Sequence, residues 1–346
     1  VSAAGVRLGL RCGVVLGLTL ALALAMTLLR AGPAQAQVAP RANQATLDYR
    51  LQARSLAPNV WVVEGDNDDF HPKNGCNIIN TGFIATGAGV LVVNTGPSRL
   101  YGEQLRALIS RTTREPVAQV LHLNLHPDYF LGNQAFVDVP RVATAATRDG
   151  IARESSAYET NLYRLCGDWM KGTATVAPDR TFEVSGAPAG AASVSGRLRM
   201  GAREFDWHVL AGHTDSDLVL VDRESGVAFV GGLVFHQRVP TTPHARVPQW
   251  LAALEVLEKL GLRTVVPSHG PVHEGTAGLA GTRRFLQWLD ASFGRHAAEG
   301  LDMNEVLRAP VPDEFRRWAA FSSEYVRNIA HLYPFYERKA LGEPRR

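Results

Sequence analysis

The stretch that decides the fold is His122-Leu-Asn-Leu-His126-Pro-Asp128-Tyr129-Phe-Leu-Gly132-Asn133. It follows an apolar run, Val117 to Leu125, that reads as a strand. Alternate side chains of a strand share a face, so His122, Asn124 and His126 are expected to point the same way as the strand ends, with Asp128 in the turn beyond. Two later segments have the same character: Gly212-His213-Thr214-Asp215 and Ser268-His269-Gly270, each just after a predicted strand. Imidazoles and carboxylates held at strand ends are metal-ligand candidates, because rigid strands fix their geometry.

Outward from this segment, short apolar runs alternate with helical patterns. Val60–Val63, Asn77–Ile84 and Gly89–Val93 read as strands. Ser98 is a helix N-cap, followed by Tyr101, Leu105, Leu108 and Ile109 on one helical face. Residues 151–170 read as a helix with Tyr158, Leu162, Leu165 and Trp169 on one stripe. Four strands are expected within 193–235, then a helix from Trp250 to Leu260 closed by Gly261, then a strand at Thr264–Val266. From about Leu279 the pattern is helical, and its Trp and Phe residues at 285–293 read as core. Two rounds of strands and helices, each ending in a His-bearing loop, predict an α/β (α+β) domain. Its natural packing is two facing sheets with helices outside, four αββα layers. The domain is expected over 58–278, with a helical C-terminal extension, 279–346, packed on it. No linker interrupts 58–340.

The N-terminus reads differently. Arg7 and Arg11 precede an apolar run, Gly13 to Leu29, and Ala34-Gln35-Ala36 follows it. This is the pattern of a secretory signal peptide, 1–36, cleaved after Ala36; the alternative is a retained membrane anchor. Residues 37–57 are expected as an irregular tether with one short edge segment. Removing the signal leaves 33 basic and 33 acidic residues. That balance gives no support for nucleic-acid binding. No second apolar run is long enough to span a bilayer, so no stable membrane anchor is expected after cleavage. The localisation implied is the periplasm. Cys76 and Cys166 remain in the mature chain; in an oxidising compartment they can pair, or stay as two buried thiols.

The order of these landmarks resembles the metallo-β-lactamase fold superfamily, whose signature is His-x-His-x-Asp-His after a strand, then a His, a bridging Asp and a final His. Asn94-Thr-Gly96 stands where that family often has Asp-Thr-Gly. More narrowly, the chain resembles the exported quinoprotein relay system zinc metallohydrolases, through Asn74-Gly-Cys-Asn-Ile-Ile-Asn-Thr-Gly82, Gly132-Asn-Gln-Ala-Phe136, Gly167-Asp-Trp-Met170, Phe235-His-Gln-Arg-Val-Pro-Thr-Thr-Pro-His244 and His331-Leu-Tyr-Pro334.

The resemblance implies a first metal at Asn124, His126 and His213, and a second at Asp128, Tyr129 and His269. The bridging carboxylate position falls on Gly232, and the acid behind the ligands on Asn94. The family has His, His and Asp where this chain has Asn124, Tyr129 and Gly232. Four donors survive: His126, Asp128, His213 and His269. They suffice for one zinc, or one iron in its place, with an open position. A second metal loses its bridging negative charge and is not expected. Asp128 is then either a ligand or the general base. Tyr129 is a phenolate ligand or a proton donor, though neutral tyrosine, with a pKa near ~10, is a poor ligand.

The remaining histidines have ordinary readings. His122 is a structural strand residue and His208 a mid-strand one. His236 and His244 lie in a Pro-rich loop, as surface residues or as rim groups that touch substrate or supply a missing ligand. His71 lies in a loop that can reach the mouth of the site, and Asn74-Gly75 is a tight turn.

Three functions follow. The first is an exported single-metal hydrolase of a small ester, lactone or thioester, tied by the resemblance to pyrroloquinoline-quinone-dependent alcohol oxidation. The second is a non-catalytic binding or accessory protein on the same fold, with the periplasmic quinoprotein system as its partner. The third is a true β-lactamase, which the ligand set fits poorly. Survival of the donors in order favours the first.

Overall fold

Alternation along the strands sets the layers. In β4 (Val90–Val93), Val90 and Val92 pack outward against the helix Arg99–Thr112 (α1), on Tyr101, Leu105, Leu108 and Ile109. Leu91 and Val93 point inward to a second core. In β11 (Val227–Phe235), Val227 and Phe229 enter that same inner core, while Ala228 and Val230 face helices on the far side. Strands buried on both faces read as continuous apolar runs for this reason. The result is helix, sheet, sheet, helix, as the sequence predicts.

The structure is a computed structural model that describes residues 44–182 and 193–342. The expected signal peptide, 1–36, and residues 37–43 of the expected tether lie outside the described residues. All described elements belong to one unit, residues 43–346.

The first sheet runs in sequence order: β1 (Arg54–Ala57), β2 (Val60–Val63), β3 (Thr81–Ala85), β4, β5 (Val117–Leu121), β6 (Arg141–Ala143) and β7 (Arg180–Thr181). The second runs β13-β12-β11-β10-β9-β8, from β8 (Ser193–Met200), β9 (Arg203–Leu210) and β10 (Asp217–Asp222) through β11 to β12 (Thr264–His269) and β13 (His273–Glu274). β4 and β5 pair in parallel across α1, and β11 and β12 pair in parallel across the helix Val247–Lys259. Between β5 and β7 lie the short α2 (Pro127–Phe130) and α3 (Ala145–Cys166). α4 (Val247–Lys259) covers the second sheet together with α5 (Ala277–Ala298), and the C-terminal α8 (Phe321–Ala340), which follows α6 (Met303–Arg308) and α7 (Asp313–Arg316), packs on α5. Among the described residues no helix is long and apolar enough to cross a membrane.

Three expectations need correction. The strand expected over 117–125 ends at Leu121. Beyond it the chain crosses between the sheets: Leu123 N–H donates to Asn94 Oδ1 at 3.1 Å, and Leu123 carbonyl accepts from Leu218 N–H of β10 at 2.8 Å. His122, Asn124 and His126 therefore leave a bend, not one pleated face. The strand expected over 77–84 begins only at Thr81. Asn80 instead ties the first sheet to the second, its Nδ2 donating to the carbonyls of Pro267 and Gly270 at 2.9 and 2.8 Å. Finally, the described part of the expected tether is docked. Tyr49 hydroxyl donates to Gly75 carbonyl at 2.9 Å and meets Ser98 Oγ at 2.8 Å, and its ring packs 4.4 Å from Trp169. A disulfide joins Cys76 to Cys166 at the end of α3.

Candidate active site

Carboxyl ends of parallel strands gather loops at one edge of the sheets, the usual place for a ligand in an α/β fold. Here β5 delivers 122–126 and α2, the β9–β10 connection delivers His213, and β11 and β12 deliver Gly232 and His269. Each is buried.

His126 and His213 face one another, His126 Nδ1 to His213 Nε2, at 3.0 Å. The opposite nitrogen of His126, Nε2, meets His244 Nδ1 at 3.0 Å. Beside them His269 Nε2 lies 3.5 Å from Asp128 Oδ2, while His269 Nδ1 is fixed by Ile78 carbonyl at 2.8 Å. Burial, first of all, holds His126, His213 and His269 well below the ordinary imidazole range, so all three are neutral. Burial also raises the Asp128 carboxyl to about 7. Its Oδ2 is buried without a hydrogen-bond donor.

The substituted positions are built into the protein. Asn124 Oδ1 accepts from His126 N–H at 3.0 Å, and its Nδ2 donates toward Asp217 Oδ1 at 3.4 Å. Tyr129 is fully buried, and burial together with the nearby Asp128 raises its hydroxyl well above the usual phenol range. In the metal-free chain it is therefore a neutral hydroxyl. This hydroxyl lies by Ser268 and Asn124 without a well-formed hydrogen bond to either. At Gly232, an added Cβ would lie 2.7 Å from His213 Nε2 and closer still to Cδ2. The imidazole of His213 fills the space a bridging carboxylate would need.

Of the loop histidines, only His244 joins the site. His236 turns to stack on His273, ring centroids 4.5 Å apart. His71 is exposed, its Nδ1 accepting from Lys73 N–H at 3.0 Å. His122 is buried, with Nδ1 3.1 Å from Tyr129 carbonyl. Asn94, in place of the family's acid, holds the crossover at Leu123.

Two residues that the sequence reading passed over belong here. Asp217, four residues after His213, accepts from Thr214 N–H at 2.8 Å and Thr214 Oγ1 at 3.1 Å. A lone acid heading the apolar strand Asp217-Leu-Val-Leu-Val was the available signal. Arg238 is fully buried; it donates to Asp68 carbonyl at 2.9 Å and pairs with Glu324 of α8 at 3.3 Å. Its charge lowers both Asp128 and His269.

Burial raises Asp217 from 3.8 to about 7. The folded chain therefore holds this proton more tightly than the unfolded one. Its favourable contribution is full below about 3.8 and is lost as pH rises through about 7. Asp217→Asn should gain on the native chain by up to ~4 kcal/mol between pH 4 and pH 8, read by urea unfolding at each pH. A gap that does not change with pH would show an ordinary carboxylate.

These donors do not fit a two-metal centre, since Asn124 is tied to His126 N–H and Asp217, Tyr129 presents a neutral hydroxyl in place of an imidazole, and Gly232 brings no carboxylate. In kind they fit one divalent ion: three neutral imidazoles and a carboxylate with an unpartnered oxygen. They stand as two pairs, His126 with His213 and Asp128 with His269. Among the described residues no three His, Cys, Asp or Glu side chains are already gathered around one point.

Residues 74–269 match the metallo-beta-lactamase superfamily profile, and the chain belongs to that superfamily. Among solved structures it is similar to a metallo-beta-lactamase from Pontibacter korlensis, at 24% identity and a TM-score of 0.52, covering 69% of this chain and 99% of that one. It is also similar to a metallo beta lactamase from Hirschia baltica, at 18% identity and a TM-score of 0.52, covering 68% and 97%. At those identities the likeness is one of fold. No curated protein matches the chain.

Proposed function

We propose that this protein is an exported, periplasmic hydrolase with one divalent metal, zinc or iron, acting on a small ester, lactone or thioester. Its setting, on the resemblance to the quinoprotein relay group, is alcohol oxidation by quinoproteins. The observation that carries the reading is the facing of His126 Nδ1 and His213 Nε2 at 3.0 Å beside the unpartnered Oδ2 of Asp128. His126 and His213 would hold the ion with Asp128 or His269. When bound, such an ion supplies Lewis acidity toward a carbonyl oxygen and makes a water more acidic.

The chain's own residues supply the rest. Where His269 completes the ion's donor set, Asp128, whose carboxyl burial raises to about 7 in the metal-free chain, is left free to take or return a proton. The Tyr129 hydroxyl stays neutral and can only donate or accept a hydrogen bond. Phe235 and Trp250 wall His213, their ring centroids 5.4 and 4.9 Å from it, and keep water from that side.

A second reading, a non-catalytic binding or accessory protein, is favoured by the filled space at Gly232 and by donors that stand in pairs. A panel of esters, lactones, thioesters and a cephalosporin separates the two. The hydrolase reading expects turnover of an ester-type substrate that is abolished by chelator and falls at least ~100-fold in His126→Ala. Absence of turnover across the panel, with zinc added, would favour the accessory role. Turnover of the cephalosporin alone would revive lactam hydrolysis.

A further inference from the structure

We infer that His244 is a positioning residue for His126, holding it as the Nε2–H tautomer so that the bare Nδ1 faces the same point as His213 Nε2. This rests on the single-metal reading. The geometry of the ring decides the role. His126 meets His213 through Nδ1 and His244 through Nε2, each at 3.0 Å. Those nitrogens point away from each other across the imidazole. His244 therefore cannot be a third donor at the point His213 faces, and it does not replace the ligand lost at Asn124. It is the hydrogen-bond partner on the far side.

A neutral imidazole carries one N–H and one lone pair, and the bond made by one nitrogen sets the state of the other. For both facing nitrogens to offer lone pairs to an ion, the proton of His126 must sit on Nε2. His126 is buried, so the acceptor for that proton must come from the protein. His244 is half-buried, and its own proton can sit on Nε2, which leaves Nδ1 as the acceptor.

The loop is built to hold this ring. Pro240 and Pro243 limit the backbone before it. Thr242 Oγ1 donates to Asn328 Oδ1 of α8 at 2.8 Å, within the buried interior. Arg246 N–H donates to Gly212 carbonyl at 2.9 Å, tying the loop to the segment that carries His213. Both anchors flank His244 within two residues.

The test is long-range proton–nitrogen correlation NMR on histidine-labelled, metal-free chain at neutral pH, with His126 assigned by His126→Gln. The native chain should show His126 in one form, protonated at Nε2. His244→Ala should show a mixture of tautomers with the fold unchanged by circular dichroism. His244→Asn, whose carboxamide oxygen accepts the same proton, should restore the single form. Affinity for zinc or cobalt, measured by titration, should fall by roughly 10–100-fold in His244→Ala and recover in part in His244→Asn. An Nδ1–H tautomer in the native chain, or an unchanged Nε2–H tautomer in His244→Ala, would overturn the inference. If the native chain binds neither metal while the tautomer still depends on His244, the positioning role stands and the single-metal reading falls.

Discussion

Replacing Gly232 by aspartate is expected to destabilise the protein and not to complete a second metal position. The space beside Gly232 is taken: an added Cβ would lie 2.7 Å from Nε2 of the fully buried His213 and closer to its Cδ2. Two terms act together. Overpacking a filled core costs about 1–3 kcal/mol. A carboxylate placed there without a donor adds a desolvation penalty of roughly 1–3 kcal/mol or more. The sum, roughly 2–6 kcal/mol, is a large part of a typical stability of about 5–15 kcal/mol. At about 2–4 °C per kcal/mol for a domain of this size, Tm should fall by roughly 10 °C, with or without zinc. A Gly232→Asp chain that keeps its Tm and takes up two metal ions would show that the bridging position is open.

Removing the disulfide is the second large effect. Cys76 and Cys166 are 90 residues apart, and closing so long a loop restricts the unfolded chain strongly. On the chain-entropy account the stabilisation approaches ~4–5 kcal/mol, and loss of a native disulfide typically costs about 2–5 kcal/mol. The link sits in a small core with Leu125, Phe130, Leu131, Ile151 and Leu162. Leu125 immediately precedes His126, so the same core steadies the site. The Cys76→Ala, Cys166→Ala chain should unfold at a urea midpoint lower by that energy. Residues 37–346 of the native sequence, denatured without reductant, should show no free thiol. Two thiols, with an unchanged midpoint, would mean the cysteines are separate.

What was legible in the sequence and what was not follows from the range of the interactions. The stripe Tyr101, Leu105, Leu108, Ile109 and the apolar run of β4 report their surroundings directly, because a buried face demands apolar side chains at its own period. His213 and His269 could be placed at strand ends by the same local reasoning. The end of β5 could not. It is set by Asn94, 29 residues away, and by Leu218 in the other sheet, and nothing within Val117–Leu125 records either. The docking of Tyr49 onto Trp169 is likewise invisible from the polar composition of 37–57. At the site, residue types made His126, Asp128, His213 and His269 candidates. Which loop histidine reaches them is a long-range outcome: His244 lies 118 residues from His126. Glu324, which pairs with buried Arg238, comes from a helix 86 residues on. Nothing in the polar stretch His236-Gln-Arg238 marks that arginine as buried.

Whether the protein holds a single metal ion is tested most directly by stoichiometry. Residues 37–346, expressed in a periplasm and purified without chelator, would be assayed for metal per chain by plasma mass spectrometry. One equivalent of zinc or iron is expected, lost in His213→Ala. Two equivalents, or none after zinc is added to the folded chain, would contradict the single-metal reading.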